Sequence, residues 1–233
     1  MDSLAIVFDM DGLMLDTERM ARVAWTRALA ENGYQLESSS YLRLVGRTVQ
    51  AAREVLTEMF GADIPFDKVY QERSAYYDLD IEQNGIPLKP GLPELLRFLE
   101  ERQIIKCVGS STPSWFAKRK LEHVGIYDRF SAVVCGDQVT HGKPAPDLFL
   151  EAARQINMPP ERCVVLEDSE AGIQAASAAG MLSLMVPDLK QPEPEIAALA
   201  YRVLPSLHEA IPLLECFLTN GLPRQSGKDQ ERF

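Results

Sequence analysis

Short apolar runs recur along the chain, and each one ends in a break rich in small or polar residues. Leu4–Phe8 runs into Asp9-Met-Asp-Gly12, and Ile104–Val108 into Gly109-Ser-Ser-Thr112. Ala132–Cys135 meets Gly136-Asp137, Cys163–Leu166 meets Glu167-Asp-Ser169, and Leu182–Val186 meets Pro187-Asp188. Continuous apolar runs of four or five residues suit strands covered on both faces, as in a parallel sheet. Between them lie amphipathic stretches at 93–102, 113–124, 146–156 and 169–179, which predict helices. Pro93, Pro113 and Pro146 fit a first helical turn, where a missing N–H costs nothing, and Gly125 and Gly180 fit helix ends. Strand alternating with helix predicts an α/β fold built of βαβ units.

The stretch after the first run breaks that alternation. Segments 17–32, 40–45, 48–60 and 66–83 read as helices separated by Gly33, Gly46 and Gly61, with no strand among them. A helical insert in an α/β core follows. The expected boundaries are 1–16 and 88–216 for the core, 17–87 for the insert, and 217–233 for a flexible tail.

Composition narrows the setting. The 233 residues carry a net charge of −10, which repels nucleic acid and anionic membranes, and neither is an expected partner. No apolar run approaches the length of a membrane span, and the first residues lack the basic start and long apolar stretch of a secretion signal. The four cysteines (Cys107, Cys135, Cys163 and Cys216) form no C-x-x-C pair and have no histidine at zinc-ligand spacing. Reduced thiols in a cytoplasmic protein are the expectation. The sequence fixes no oligomeric state; a monomer is the expected form.

The candidate chemistry lies just after the strand runs, at the carboxyl ends where open parallel sheets bind ligands. Asp9 and Asp11, spaced i, i+2, point the same way in an extended chain. They read equally as turn or cap residues. Glu167-Asp168 ends another run. Several carboxylates gathered in one place repel unless a cation offsets them, and an all-oxygen ligand set favours Mg2+. Lys143, in the proline-flanked run His141-Gly-Lys-Pro-Ala-Pro146, is the one cation the sequence places near this cluster. It is either a counter-charge to carboxylate and phosphate or a solvated loop lysine. Ser110 and Ser111 stand at a strand-to-helix turn that can hold a phosphate oxygen or simply cap the helix. His123, His141 and His208 lie in unrelated contexts, which speaks against a Ser–His hydrolase.

These segments together resemble the four motifs of the haloacid dehalogenase-like superfamily. Phe8-Asp-Met-Asp-Gly-Leu-Met-Leu-Asp-Thr-Glu18 resembles the first and Val108-Gly-Ser-Ser-Thr112 the second. Gly142-Lys-Pro-Ala-Pro-Asp147 resembles the third and Leu166-Glu-Asp-Ser-Glu-Ala-Gly172 the fourth, in family order, from Met1 to about Leu214. The closest branch looks like the β-phosphoglucomutase-like phosphatases. The resemblance implies a Rossmann-like parallel-sheet core with an inserted small α-helical cap domain. It further implies an Mg2+-dependent phosphatase acting on a small phosphorylated metabolite, a sugar phosphate or nucleotide-like phosphomonoester, through an aspartyl phosphate. By position, Asp9 would be the nucleophile and Asp11 the acid–base group. Ser110, the backbone at Ser111, and Lys143 would hold the phosphoryl group. Asp9, the Asp11 carbonyl and Asp168 would ligate the metal with Glu167 nearby, and Gly46 and Arg47 are the substrate candidates in the cap.

Two alternatives stand beside this reading. A β-phosphoglucomutase-like phosphohexomutase would carry a histidine in the hinge, but Arg19–Arg22 contains none. It would also carry Lys-Asn soon after the second-motif serine, where this chain has Thr112-Pro-Ser114. A non-catalytic phospho-acceptor domain would carry its acidic pair adjacent, where Asp9 and Asp11 are spaced i, i+2, and would lack a helical insert of this size. A binding protein built on a dead hydrolase would have lost Asp9 or Lys143, and both are kept.

Overall fold

The computed structural model of the chain describes residues 4–45, 47 and 49–223. In chain order its elements are β1 (Ala5–Phe8), α1 (Thr17–Glu31), α2 (Ser38–Tyr41), α3 (Val49–Phe60) and α4 (Phe66–Asn84). There follow α5 (Leu92–Glu101), β2 (Ile105–Ser110), α6 (Ser114–His123), β3 (Val133–Cys135), α7 (Asp147–Gln155) and β4 (Cys163–Glu167). The series closes with α8 (Glu170–Ala178), β5 (Leu182–Met185), α9 (Pro194–Ala197), β6 (Arg202–Val203) and α10 (Ala210–Asn220).

The strands form one parallel sheet in the order β3-β2-β1-β4-β5-β6. The chain builds outward from β1 to β3 on one side, then returns to lay β4 on the other side. The crevice at the carboxyl ends of β1 and β4 is therefore a topological switch point. Val7 pairs in register with Cys107 on β2 and with Val165 on β4. All four residues of β1 are buried. Ala5 and Val7 face a core shared with Leu148, Phe149 and Ala152 of α7 and with Ala175 and Ala176 of α8. Phe8 meets Phe130 edge to face, with ring centroids 5.7 Å apart. Two covered faces explain why β1 is uniformly apolar rather than alternating.

The chain divides into two compact units. One comprises the chain up to Met14, Leu88–Asp188 and the chain from Pro192; the other comprises Leu15–Pro87 with Leu189–Gln191. The second unit is helical among the described residues and has its own core. Trp25, Ala28 and Leu29 of α1 pack there with Leu56 of α3 and with Phe66 and Val69 of α4. Among the described residues no helix is long and apolar enough to cross a membrane.

The observed boundaries differ in detail from those expected. The first division between units falls after Met14 rather than after residue 16, and Leu189 packs on the helical core. The segment expected as a helix at 40–45 is helical at Ser38–Tyr41 and continues as turns. The tail does not begin at 217: α10 runs to Asn220, with Leu214 and Phe217 buried. Residues 224–233 of that expected tail lie outside the described residues.

Candidate active site

Asp9 follows directly on β1, and its N–H donates to the Leu166 carbonyl, which continues the ladder between β1 and β4. Its carboxylate is buried. Lys143 reaches it from the loop between β3 and α7. Lys143 Nζ donates to Asp9 Oδ1 at 2.5 Å and to Glu167 Oε1 at 2.6 Å, and it lies 4.8 Å above the Phe149 ring. Glu167, the last residue of β4, is fully buried. Its second oxygen accepts from the Ser169 N–H at 2.6 Å. The Ser169 hydroxyl in turn caps α8 by accepting from the Gly172 N–H at 3.1 Å.

Two carboxylates thus share one ammonium. The Asp9 carboxyl is held up at about 7: burial raises it most, Lys143 draws it down, and the Glu167 and Asp11 charges add to the rise. Burial alone would lower Lys143, but Asp9 and Glu167 hold it above the usual lysine range.

Two glycines make room for the acidic groups. Gly12 has φ of +85°, and a Cβ there would lie 2.3 Å from Asp168 Oδ2. A Cβ at Gly172 would lie 1.8 Å from Glu167 Oε1. Asp9, Glu167 and Asp168 can each offer one carboxylate oxygen, all within 4.8 Å of one another. An all-oxygen, acidic donor set beside Lys143 fits a hard divalent cation.

The Asp11 side chain is held differently. The Thr112 hydroxyl donates to its Oδ2 at 2.6 Å, and Lys120 Nζ of α6 donates to its Oδ1 at 2.6 Å. Lys120 is buried, and its ammonium lies 4.5 Å over the Phe116 ring one turn earlier on α6. Ser110 closes β2, buried, and its hydroxyl accepts from the Thr112 N–H at 3.2 Å. Ser111 is exposed; its carbonyl abuts Gly136, where a Cβ would come within 2.6 Å. Asp137 fixes the start of α6, accepting from the Ser114 N–H at 3.0 Å and from the Ser114 hydroxyl at 2.7 Å.

A profile of the haloacid dehalogenase-like hydrolases matches residues 4–180. That span contains every residue of the constellation just described. The chain belongs to the haloacid dehalogenase-like hydrolases.

Within this family it is similar to the fructose-1-phosphate phosphatase YqaB of Escherichia coli (strain K12). The identity is 35% over 176 residues, 76% of this chain and 92% of that protein. It is also similar to a probable pseudouridine-5'-phosphatase of Drosophila melanogaster, 33% identical over 212 residues, 88% of this chain and 90% of that protein. Among solved structures it resembles a putative beta-phosphoglucomutase from Thermotoga maritima. That match has a TM-score of 0.77 and 26% identity, and covers 91% of this chain and 98% of the other.

In this hydrolase the residues picked out in the sequence fall into three groups. Asp9, Lys143, Glu167 and Asp168 come together at the ends of β1 and β4. Asp11 joins Thr112 and Lys120, while Ser110 ends β2 beside them and Ser111 follows it. Arg47 belongs to the helical unit, where it is exposed and its Nε donates to the Arg43 carbonyl at 3.4 Å; Gly46 lies outside the described residues. Sequence reasoning missed Lys120, so Lys143 is not the one cation of the cluster. Lys118, Arg119 and Lys120 are consecutive cations on α6, and only packing distinguishes the buried one.

Proposed function

We propose that this hydrolase is an Mg2+-dependent phosphatase that cleaves a small phosphomonoester through an aspartyl phosphate on Asp9. The observation that carries this reading is the hydrogen bond from Lys143 to Asp9 at the switch point of the sheet, with Asp168 and Asp11 beside it. A carboxylate held by an ammonium at a strand end is positioned for attack on an electrophile already bound to the same cation.

The residues divide the work as follows. An Asp9 oxygen attacks phosphorus, and the bond from phosphorus to the leaving oxygen breaks as Asp11 gives that oxygen its proton. The alcohol departs. Water then attacks phosphorus and yields a proton to Asp11; the bond between Asp9 and phosphorus breaks, releasing phosphate and restoring both carboxyl groups. Lys143 offsets charge on Asp9 and on the phosphoryl oxygens, and Glu167 keeps Lys143 in place. The Ser110 hydroxyl and the backbone at Ser111 hold the phosphoryl oxygens. Mg2+ would be held by Asp9, the Asp11 carbonyl and Asp168, with Glu167 nearby, and when bound it supplies positive charge against the transferring group.

The helical unit, inserted between the first and second motifs, is read as the cap that selects substrate, with Gly46 and Arg47 as its candidates. The named activities of the two relatives favour a sugar phosphate or a nucleotide-like phosphate. A mutase reading is disfavoured because Thr112-Pro-Ser114 stands where that branch carries Lys-Asn, and no histidine stands at Arg19–Arg22. The reading is tested with Asp9→Asn on p-nitrophenyl phosphate in Mg2+. Loss of turnover in a folded variant is expected, and retained turnover would overturn it.

A further inference from the structure

We propose that Lys120 is the positioning residue of the acid–base step: it clamps Oδ1 of Asp11 and leaves Oδ2 as the oxygen that carries the proton. This rests on the reading of Asp11 as the acid–base group.

The argument is one of donors and acceptors. Both Asp11 oxygens are engaged, Oδ1 by Lys120 and Oδ2 by Thr112, each at 2.6 Å. An ammonium only donates, and its charge favours an unprotonated oxygen as acceptor, so Lys120 steers the proton away from Oδ1. A threonine hydroxyl both donates and accepts. Thr112 can donate to Oδ2 of the carboxylate and, by rotating its O–H, accept from Oδ2 of the acid. The two contacts therefore differ in kind: one is fixed and the other can invert.

The setting keeps Lys120 in that role. It is 5% exposed, and the Phe116 ring lies against its ammonium on the same helix. The helix itself is pinned at its start, where Asp137 accepts from both the N–H and the hydroxyl of Ser114. The clamp thus hangs from a fixed helix, and it orients the carboxyl plane as well as offsetting charge. In the first half-reaction the proton on Oδ2 passes to the leaving oxygen as its bond to phosphorus breaks and the bond from Asp9 forms. In the second, the attacking water returns a proton to Oδ2 as the bond between Asp9 and phosphorus breaks.

The test compares two leaving groups. p-Nitrophenolate departs without a proton, whereas a sugar alkoxide needs one. For Lys120→Met, kcat/KM on a sugar phosphate that the wild type hydrolyses should fall about 100-fold, the usual scale of a lost acid–base contribution. On p-nitrophenyl phosphate kcat/KM should fall less than about fivefold, because that step does not call on the proton. Lys120→Arg, which keeps the donor and the charge, should recover most of the difference. Equal falls on both substrates would mark Lys120 as merely structural, and unchanged values on both would mark it as idle; either overturns the proposal. If Lys120→Met does not fold by circular dichroism, Lys120→Gln is read by the same ratio. A wild type inactive on both substrates would overturn the phosphatase reading itself, and this is seen before any variant is made.

Discussion

Gly172 lies so close to Glu167 that a Cβ at 172 would sit 1.8 Å from Glu167 Oε1, the oxygen that receives Lys143. The glycine stands in the first turn of α8, yet its reason lies in the site. An alanine in a helix ordinarily gains about 1 kcal/mol over glycine. Here that gain is opposed by a methyl group driven into a buried carboxylate.

Gly172→Ala is therefore expected to destabilise the protein by about 1–3 kcal/mol, the range for overpacking a closed site. It should also lower turnover, because Glu167 cannot move without releasing Lys143. Urea denaturation and a rate measurement on p-nitrophenyl phosphate check both; a gain in stability would show that Glu167 yields freely.

Lys143→Met leaves Asp9 and Glu167 buried without their shared ammonium. Breaking a buried pair from one side costs about 3–5 kcal/mol. A loss of this order is expected in chemical denaturation at neutral pH, with activity lost as well. A variant as stable as wild type would mean that the carboxylates find another partner.

Metal binding can be read without turnover. If Asp9 and Asp168 hold Mg2+, adding it raises the thermal midpoint, since saturation at 100 times Kd stabilises by about 2.7 kcal/mol. Asp168→Asn should shrink that rise sharply, and EDTA should abolish both the rise and the activity. An equal rise in Asp168→Asn would remove Asp168 from the ligand set.

Away from the site, Arg129 holds Glu100 through two hydrogen bonds of 2.8 Å, and Lys106 adds an ion pair at 3.2 Å. The Arg129 bonds hold the Glu100 carboxyl down at about 2, with Lys106 adding to the effect. A lowered carboxyl contributes stability above its unfolded value and loses it as pH falls toward the folded one. Solvent screens this exposed cluster, so Glu100→Gln should cost no more than about 1 kcal/mol at neutral pH. The deficit should fade between about pH 4.5 and pH 2. A deficit unchanged at acid pH would contradict the ion-pair origin.

Much of this was legible in the sequence. The strand runs of β1 and β4 stand out because both are covered on both faces, so their burial is written as unbroken apolar residues up to Glu167 in β4. β6 is not legible: Arg202 and Val203 are both exposed, and their pairing with β5 leaves no apolar mark. α10 could have been read further, since Ala210, Leu214 and Phe217 follow helical spacing. Within the site, the strand-end carboxylates and Lys143 were readable from their motifs. The distinction between Glu167, with both oxygens engaged, and the less buried Asp168 was not, because it depends on the Ser169 N–H and the gap at Gly172. The partnership of Lys120 with Asp11 spans more than a hundred residues and exists only once α6 packs beside β1's end.

The most direct measurement of the central claim is acid quenching during turnover of a phosphomonoester in Mg2+, followed by mass spectrometry of the peptide that contains Asp9. A fraction of that peptide heavier by one phosphoryl group, absent in Asp9→Asn, is the predicted result. Sustained turnover with Asp9 never phosphorylated at any quench time would contradict it.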